Sequence, residues 1–429
     1  MVPSEAYFDT STARLTGVVA VSGLGFPPKI SLNIARIRQA QAIAFGRNKS
    51  WNSEIASAIE KAAKRLTTDE IIMDEHLKVQ PHHGGGVRSI VLNVDEVLAN
   101  IALEGMGFSK GEFHIMAPLF QLDRGRNHLE TYLTAVHITL IAELSDTFAA
   151  LESLLLRLKE KTTSFQTMET VAKIQFQEIE LSNIGAEFSR FHESLARLRQ
   201  QLDWFRARLL PCWQGSSDTL LAIREVVGID IAISTVPDDF PWNVDLYLGL
   251  SALLRTTTLT LLGFCDRMRL LVTASRELDT QRIRVNPPFN PDGRELIIID
   301  TVSQLSFSII GADAAIVAST SGGVDCAVAY APFFSSQLVW SGKWLTNAIE
   351  ILDKNFVAGL VGDEEKGIKQ LQETPLQAER LIPTLGYDRA VQVARIAALT
   401  EKPVRMVVQK MKLMTQEESE NFFKSGFRR

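Results

Sequence analysis

The chain has 429 residues, 46% of them hydrophobic, and a formal net charge of −5. That length points to two or three domains with a large core, and the mild negative charge gives no reason to expect nucleic acid or an anionic membrane as partner. Cys212, Cys265 and Cys326 are too few and too scattered for a disulfide framework or a zinc site, and they suit a reducing compartment.

Residues 1 to 27 read as extended and loop structure. Met1 to Arg14 carries Glu5 and Asp9 and no apolar core, so no secretory signal is expected and a cytoplasmic location is the default. The run Leu15-Thr16-Gly17-Val18-Val19-Ala20-Val21 predicts a short strand, closed by Pro27-Pro28. Helices are predicted from Ser31, with Ile34, Ile37, Ala40 and Ala44 as a loose stripe, and across Ile55, Ile59, Ala62 and Leu66. An irregular segment, Gln80-Pro81-His82-His83-Gly84-Gly85-Gly86, separates these from a helical reading over Val94 to Ala102.

Residues 108 to 130 read as a loop. From Thr131 the helical pattern is long. Leu140, Leu144, Phe148, Leu151, Leu155 and Leu158 form one stripe, and Phe188, Phe191, Leu195, Leu198, Leu202, Phe205 and Leu209 a second, broken at Pro211 and Gly215 to Ser217. Asn243 to Leu278 has no proline and is apolar nearly all round, which predicts a helix buried on all sides, on the order of 50 Å long, with other helices about it. Arg255 and Thr256 to Thr258 interrupt it, so a membrane span is not expected. No helix can pass the proline-rich turn Asn286 to Gly293. Helical pattern resumes near Glu295 and runs, with breaks at Gly322-Gly323 and Pro332, to about Leu360. The tail reads as three short helices, Asp388 to Thr400, Val404 to Met411, and one opened by the capping box Thr415-Gln416-Glu417-Glu418.

Four blocks carry a resemblance. Leu385-Gly386-Tyr387-Asp388-Arg389-Ala390, Lys402-Pro403-Val404-Arg405 and Lys412 to Phe422 are similar to the C-terminal domain of class II fumarases and aspartate ammonia-lyases. Ala6 to Arg14 resembles the opening segment of that family. Asn93-Val94-Asp95-Glu96-Val97-Leu98-Ala99-Asn100 resembles its Asn-x-Asn-Glu-Val-Ile-Ala-Asn helix start, and Thr134 to Ile138 the start of its first long helix. The resemblance implies a mainly α fumarase/aspartase-like fold: a small mixed N-terminal domain over 1–130, a central bundle of long helices over 131–380 and a small helical C-terminal domain over 381–429. It also implies a homotetramer with active sites composed from three subunits, a small carboxylate-bearing substrate, and anti elimination in which a base removes the proton next to the carboxylate. Neither a cofactor nor a metal is implied.

The chemistry-bearing loops depart from that pattern. The family's Gly-Ser-Gly-Thr-Ser falls on Gly85-Gly86-Val87-Arg88-Ser89, so Arg88 replaces a carboxylate-binding threonine. The second loop falls on Arg126-Asn127-His128-Leu129-Glu130, with His128 at a substrate-binding hydroxyl position and Leu129 at that of an asparagine. Thr-His-Leu-Gln falls on Ile174-Gln175-Phe176-Gln177 and loses its histidine; Lys173 stands at a family arginine. The signature loop falls near Gln281 to Pro291. Pro288 replaces its lysine and Arg282 and Ile283 its serine base, while Asn290, Pro291 and Glu295 persist. An enediolate needs donors where charge develops, and these changes remove several.

His128 is the candidate proton-transfer residue, because imidazole titrates near neutrality and the resemblance places its loop against substrate. Arg88, Ser89, Arg126, Asn127, Lys173, Gln175, Asn290 and Glu295 are candidate substrate-binding residues; Arg88 and Arg126 offer guanidinium forks suited to a carboxylate. Lys173, standing at a family arginine, is also readable as structural, the reading slightly favoured, and Glu295 as a helix-start carboxylate. His82 and His83 are read either as idle loop residues or as cleft or metal-facing ones, and His137 and His192 as packing residues. The expectation is a diverged lyase acting on a substrate other than aspartate or fumarate. The alternatives are a catalytically inactive binding or structural homologue, and an isomerase or other chemistry on a less polar substrate, which Leu129, Ile174 and Phe176 would favour.

Overall fold

The computed structural model describes residues 2–118, 122, 128–174, 177–234, 244–272, 283–285, 296–321, 329–362 and 371–424. It is mainly helical. In chain order the elements are α1 (Thr10–Val19), α2 (Pro28–Arg47), α3 (Ser53–Thr68), α4 (Glu70–His76), α5 (Gly86–Gly105), α6 (His128–Ser164), β1 (Glu169–Ile174), β2 (Gln177–Asn183), α7 (Ile184–Leu209), β3 (Pro211–Trp213), α8 (Ser217–Val227), β4 (Ala232–Ile233) and α9 (Val244–Val272). After these come β5 (Ile283–Val285), α10 (Ile297–Thr320), α11 (Ala331–Asn355), β6 (Leu360–Gly362), α12 (Tyr387–Thr400), α13 (Val404–Lys410) and α14 (Gln416–Lys424). The strands form three two-stranded ribbons: β1–β2 and β5–β6 antiparallel, β3–β4 parallel.

The expected strand at Leu15 to Val21 is corrected: residues 10 to 19 are helical. Its alternating valines suggested a strand, but the helix start is determined by contacts distant in sequence. Asp9 caps Thr10, and the Glu96 carboxylate accepts from the backbone N–H groups of Asp9, Ser11 and Thr12 at 2.9, 3.3 and 3.3 Å. A carboxylate at a helix N-terminus satisfies orphan donors and opposes the helix dipole. Pro332, expected to break a helix, instead sits in the first turn of α11, where its missing N–H costs nothing. The loop expected up to residue 130 ends earlier, since His128 opens α6 with Glu130 in the first turn.

Two compact units are defined by contacts within the chain. Met1–Ala149, Leu198–Thr258 and Leu305–Thr346 make one, and Ala150–Arg197, Leu259–Gln304 and Asn347–Arg429 the other. Each boundary falls inside a helix.

In the first unit α5 is the central piece, buried along most of its length. Its motif residues hold the surroundings together. Asp95 accepts both Nε and Nη2 of Arg38 at 2.9 and 3.0 Å, with both side chains fully buried. Asn93 accepts from Lys78 N and donates to His76 O, and Asn100 donates to Tyr7 O and accepts from Gly111 N. The block Asn93 to Asn100 therefore staples four separate segments to one helix. On α9, Ser251 and Arg255 both reach Asp313 of α10, at 2.6 and 2.8 Å. The charge that interrupts the apolar run is thus paired.

In the second unit Phe188 and Phe191 of α7 pack edge-on against Phe264 of α9, and Arg267 pairs with Glu187 at 2.6 Å. Lys161, near the end of α6, donates to Leu360 O and Ala358 O at 2.7 and 3.2 Å and so anchors β6. Gly362 lies against Met168; a Cβ there would come within 2.0 Å of its sulfur, so a larger residue would require the methionine side chain to move. The tail has its own core of Ala378, Leu381, Ala390, Val393, Ala397, Val404, Val407 and Val408. Its capping box forms as expected: Glu418 accepts from Thr415 N at 2.8 Å, and Thr415 Oγ1 accepts from Glu418 N at 3.2 Å.

The helix expected to be buried on all sides is not so within one chain. Leu259 and Leu270 of α9 are 50% and 47% exposed, and on α10 Phe307 and Val317 are 62% and 50% exposed. Both helices are long and apolar enough to cross a membrane, but half of the apolar window of α9 is buried inside the protein.

Candidate functional site

Three helix N-termini come together in the first unit, around the start of α11. His82, just ahead of α5, packs its ring 5.1 Å from that of Phe333, and a Cβ at Gly86 would lie 3.7 Å from Ala329 O. Tyr132, in the first turns of α6, shares a 2.5 Å hydrogen bond with Ser335. The N-termini of α5 and α6 are thus both pinned to one turn of α11. A helix N-terminus presents unsatisfied N–H groups and a positive partial charge, which suit an anion.

The start of α5 is built by glycine. Gly84 and Gly86 have φ of +67° and +61°, values that side-chain-bearing residues rarely adopt. Between them Gly85 is crowded: a Cβ would fall 2.1 Å from Ser89 Oγ. Ser89 donates back to Gly85 O at 3.1 Å. Arg88, on the same first turn, is exposed. His128 is half-buried as the first residue of α6, with Leu129 buried behind it. The structure therefore brings Arg88, Ser89 and His128 to helix starts that share one support. Lys173 lies on β1, in the second unit, beside a bulge between Ala172 and Lys173. Arg126, Asn127, Gln175, Asn290 and Glu295 lie outside the described residues.

Beneath these helix starts is a buried polar network. His137 on α6 bonds Leu209 O through Nδ1 at 2.9 Å and Tyr247 Oη through Nε2 at 2.8 Å. A carbonyl can only accept, so Nδ1 carries the proton and Nε2 accepts from the tyrosine. Burial lowers the His137 pKa to about 4, partly offset by the Leu209 carbonyl, so the ring is neutral. Burial also raises the pKa of Tyr132 and of Tyr247. Tyr247 packs against Phe334 of α11, which ties the network to the same support. His137 is a packing residue, as its helical setting predicted.

The two loop histidines, His82 and His83, differ in their settings. His82 is exposed, but His83 is only 5% exposed, and its Nδ1 accepts from Gly85 N at 2.9 Å. Sequence reasoning missed this and the Tyr132–Ser335 bond; the one available signal was the polar run Ser335-Ser336-Gln337 in the otherwise apolar Ala331 to Trp340. Among the described residues no three His, Cys, Asp or Glu side chains gather as a metal site would require.

No family profile matches the chain. Full-length similarity is found all the same. The aspartate ammonia-lyase of Corynebacterium glutamicum is 24% identical over 435 residues, covering 97% of this chain and 82% of the relative. Among solved structures, fumarate lyase:delta crystallin from Brucella melitensis superposes with a TM-score of 0.91 at 22% identity, covering 100% of this chain and 98% of that one. Class II fumarase from Schistosoma mansoni gives a TM-score of 0.87 at 18% identity, covering 98% and 95%.

Proposed function

This chain belongs to the fumarase/aspartase superfamily, and from that premise we propose that it is a diverged lyase. In this reading it removes a proton next to a carboxylate and expels a leaving group, on a small molecule other than aspartate or fumarate. The observation that carries the proposal is the meeting of the N-termini of α5, α6 and α11, with Arg88, Ser89 and His128 on the first turns of two of them. That arrangement supports anion binding at a place that also offers an imidazole. In the proposed reaction the His128 imidazole takes the proton, the electron pair left on carbon forms the new double bond, and the leaving group departs with the pair of the bond that breaks. Arg88 and the helix N–H groups hold the substrate carboxylate as charge builds on it.

Two measurements test this. A thermal-shift screen of small carboxylic acids should find a stabilising ligand, and the hits should yield an alkene product visible by ultraviolet absorbance. A complete panel without one stabilising acid would sink the proposal. The replacement of a serine base by Arg282 and Ile283 and of a lysine by Pro288 supports a second reading, an inactive binding homologue; stabilisation by an acid that is never turned over would favour it. We further propose a homotetramer, supported by the exposed Leu259, Leu270, Phe307 and Val317 on two long apolar helices, and a cytoplasmic location, which the few scattered cysteines suit.

A further inference from the structure

We infer that His83 is a positioning residue: its Nδ1 holds the Gly84–Gly86 turn so that the N-terminus of α5, with Arg88 and Ser89, is presented to a carboxylate. This rests on the carboxylate-binding reading above. Among the described residues the turn has few other fixed points, the chief one being Ser89, which donates to Gly85 O. Its glycines are free to sample both signs of φ, and α5 has no side-chain N-cap, because the N-cap residue is Gly85 itself. The hydrogen bond from Gly85 N to His83 Nδ1, at 2.9 Å, supplies what a capping serine or aspartate supplies elsewhere. The imidazole is itself held: it is buried in a crevice lined by Leu15, Thr16 and Val19 of α1 with Val79 and Gln80.

The bond also defines the tautomer. Since Nδ1 accepts, the ring proton is on Nε2, a buried atom with no hydrogen-bond partner among the described residues. Burial lowers the pKa of His83 to about 4, so Nδ1 remains an acceptor throughout the neutral range.

Asparagine and glutamine distinguish the role, because Asn Oδ1 stands near the position of Nδ1 and Gln Oε1 near that of Nε2. The full-length protein and its His83→Asn and His83→Gln variants are compared by amide hydrogen exchange at residues 84–87 and by calorimetric titration with succinate. Exchange at Gly85 should be about as slow in His83→Asn as in the wild type, and at least tenfold faster in His83→Gln. Succinate affinity should follow the same order, with His83→Gln weaker by about tenfold or more. Equal protection of Gly85 in all three proteins overturns the hold by His83. A loosened turn with unchanged succinate affinity overturns its part in binding. If the wild type shows a protected Gly85 yet binds no succinate, the hold by His83 stands and the carboxylate reading of the site fails.

Discussion

His128→Asn is expected to lower turnover of the true substrate by about 10²- to 10⁴-fold, the usual contribution of a general base, with fold and assembly unchanged. Near-full turnover in that variant would remove His128 from proton transfer. His137 should show in stability rather than in rate. Its folded pKa of about 4 lies below the ordinary histidine value, so the unfolded chain takes up the proton first. The contribution of the buried neutral ring is therefore complete above about pH 6.5 and is lost as pH falls from there to about 4, on the order of 3 kcal/mol in all. Urea midpoints measured across that range should fall, and should fall less in His137→Gln; parallel curves would show that His137 is not responsible. His137 was legible because the pattern around it gave its setting, a helix face. His83 was not legible: nothing in Pro81-His82-His83-Gly84 says which of two adjacent rings turns inward, since that depends on the packing of α1 and of α11.

At the scale of elements, α5 carries the most consequence. Asp95→Asn would leave the Arg38 guanidinium buried without its counter-charge, which costs about 3 to 5 kcal/mol. Chemical denaturation should show a loss of that order, and a loss under about 1 kcal/mol would mean that the pair is relaxed or hydrated. The long helices could be read from three- and four-residue spacing because each has one face packed by its neighbours, as the stripes on α6 and α7 show. α1 misled because the decisive acceptor, Glu96, lies far along the chain, and local β-branched residues gave the only nearby signal. The β1–β2 ribbon was missed for a related reason: its burial is irregular and its register slips at Ala172, so no strict alternation is available to find.

For the whole molecule, light scattering at micromolar concentration should give a tetramer. A stable monomer would leave the exposed apolar residues of α9 and α10 unexplained and would remove the basis for a composite site. Coupled assays should detect no aspartate deamination and no fumarate hydration, since each missing oxyanion donor is worth on the order of 3 kcal/mol in the transition state. Rates ordinary for either reaction would show that Arg88, Leu129 and Pro288 do not stand where the resemblance puts them. The fold was legible from ordered blocks spread along the chain. The substrate was not, because the loops that would define it are the parts that depart from the family pattern.

The interleaving of the two units bears on biosynthesis. The first unit is completed only by residues 305–346, through contacts such as Thr147 with Thr346 at 2.8 Å, while the second begins at residue 150 and ends at 429. A ribosome adding about 5 to 20 residues per second cannot finish either unit before most of the other has emerged. α1 is delayed in the same way, because a ten-residue helix is marginal alone and its acceptor on α5 is translated much later. The nascent chain therefore spends its synthesis with apolar helices uncovered. Fragments ending near residue 300 should be captured by holdase chaperones or degraded rather than accumulate as a folded half.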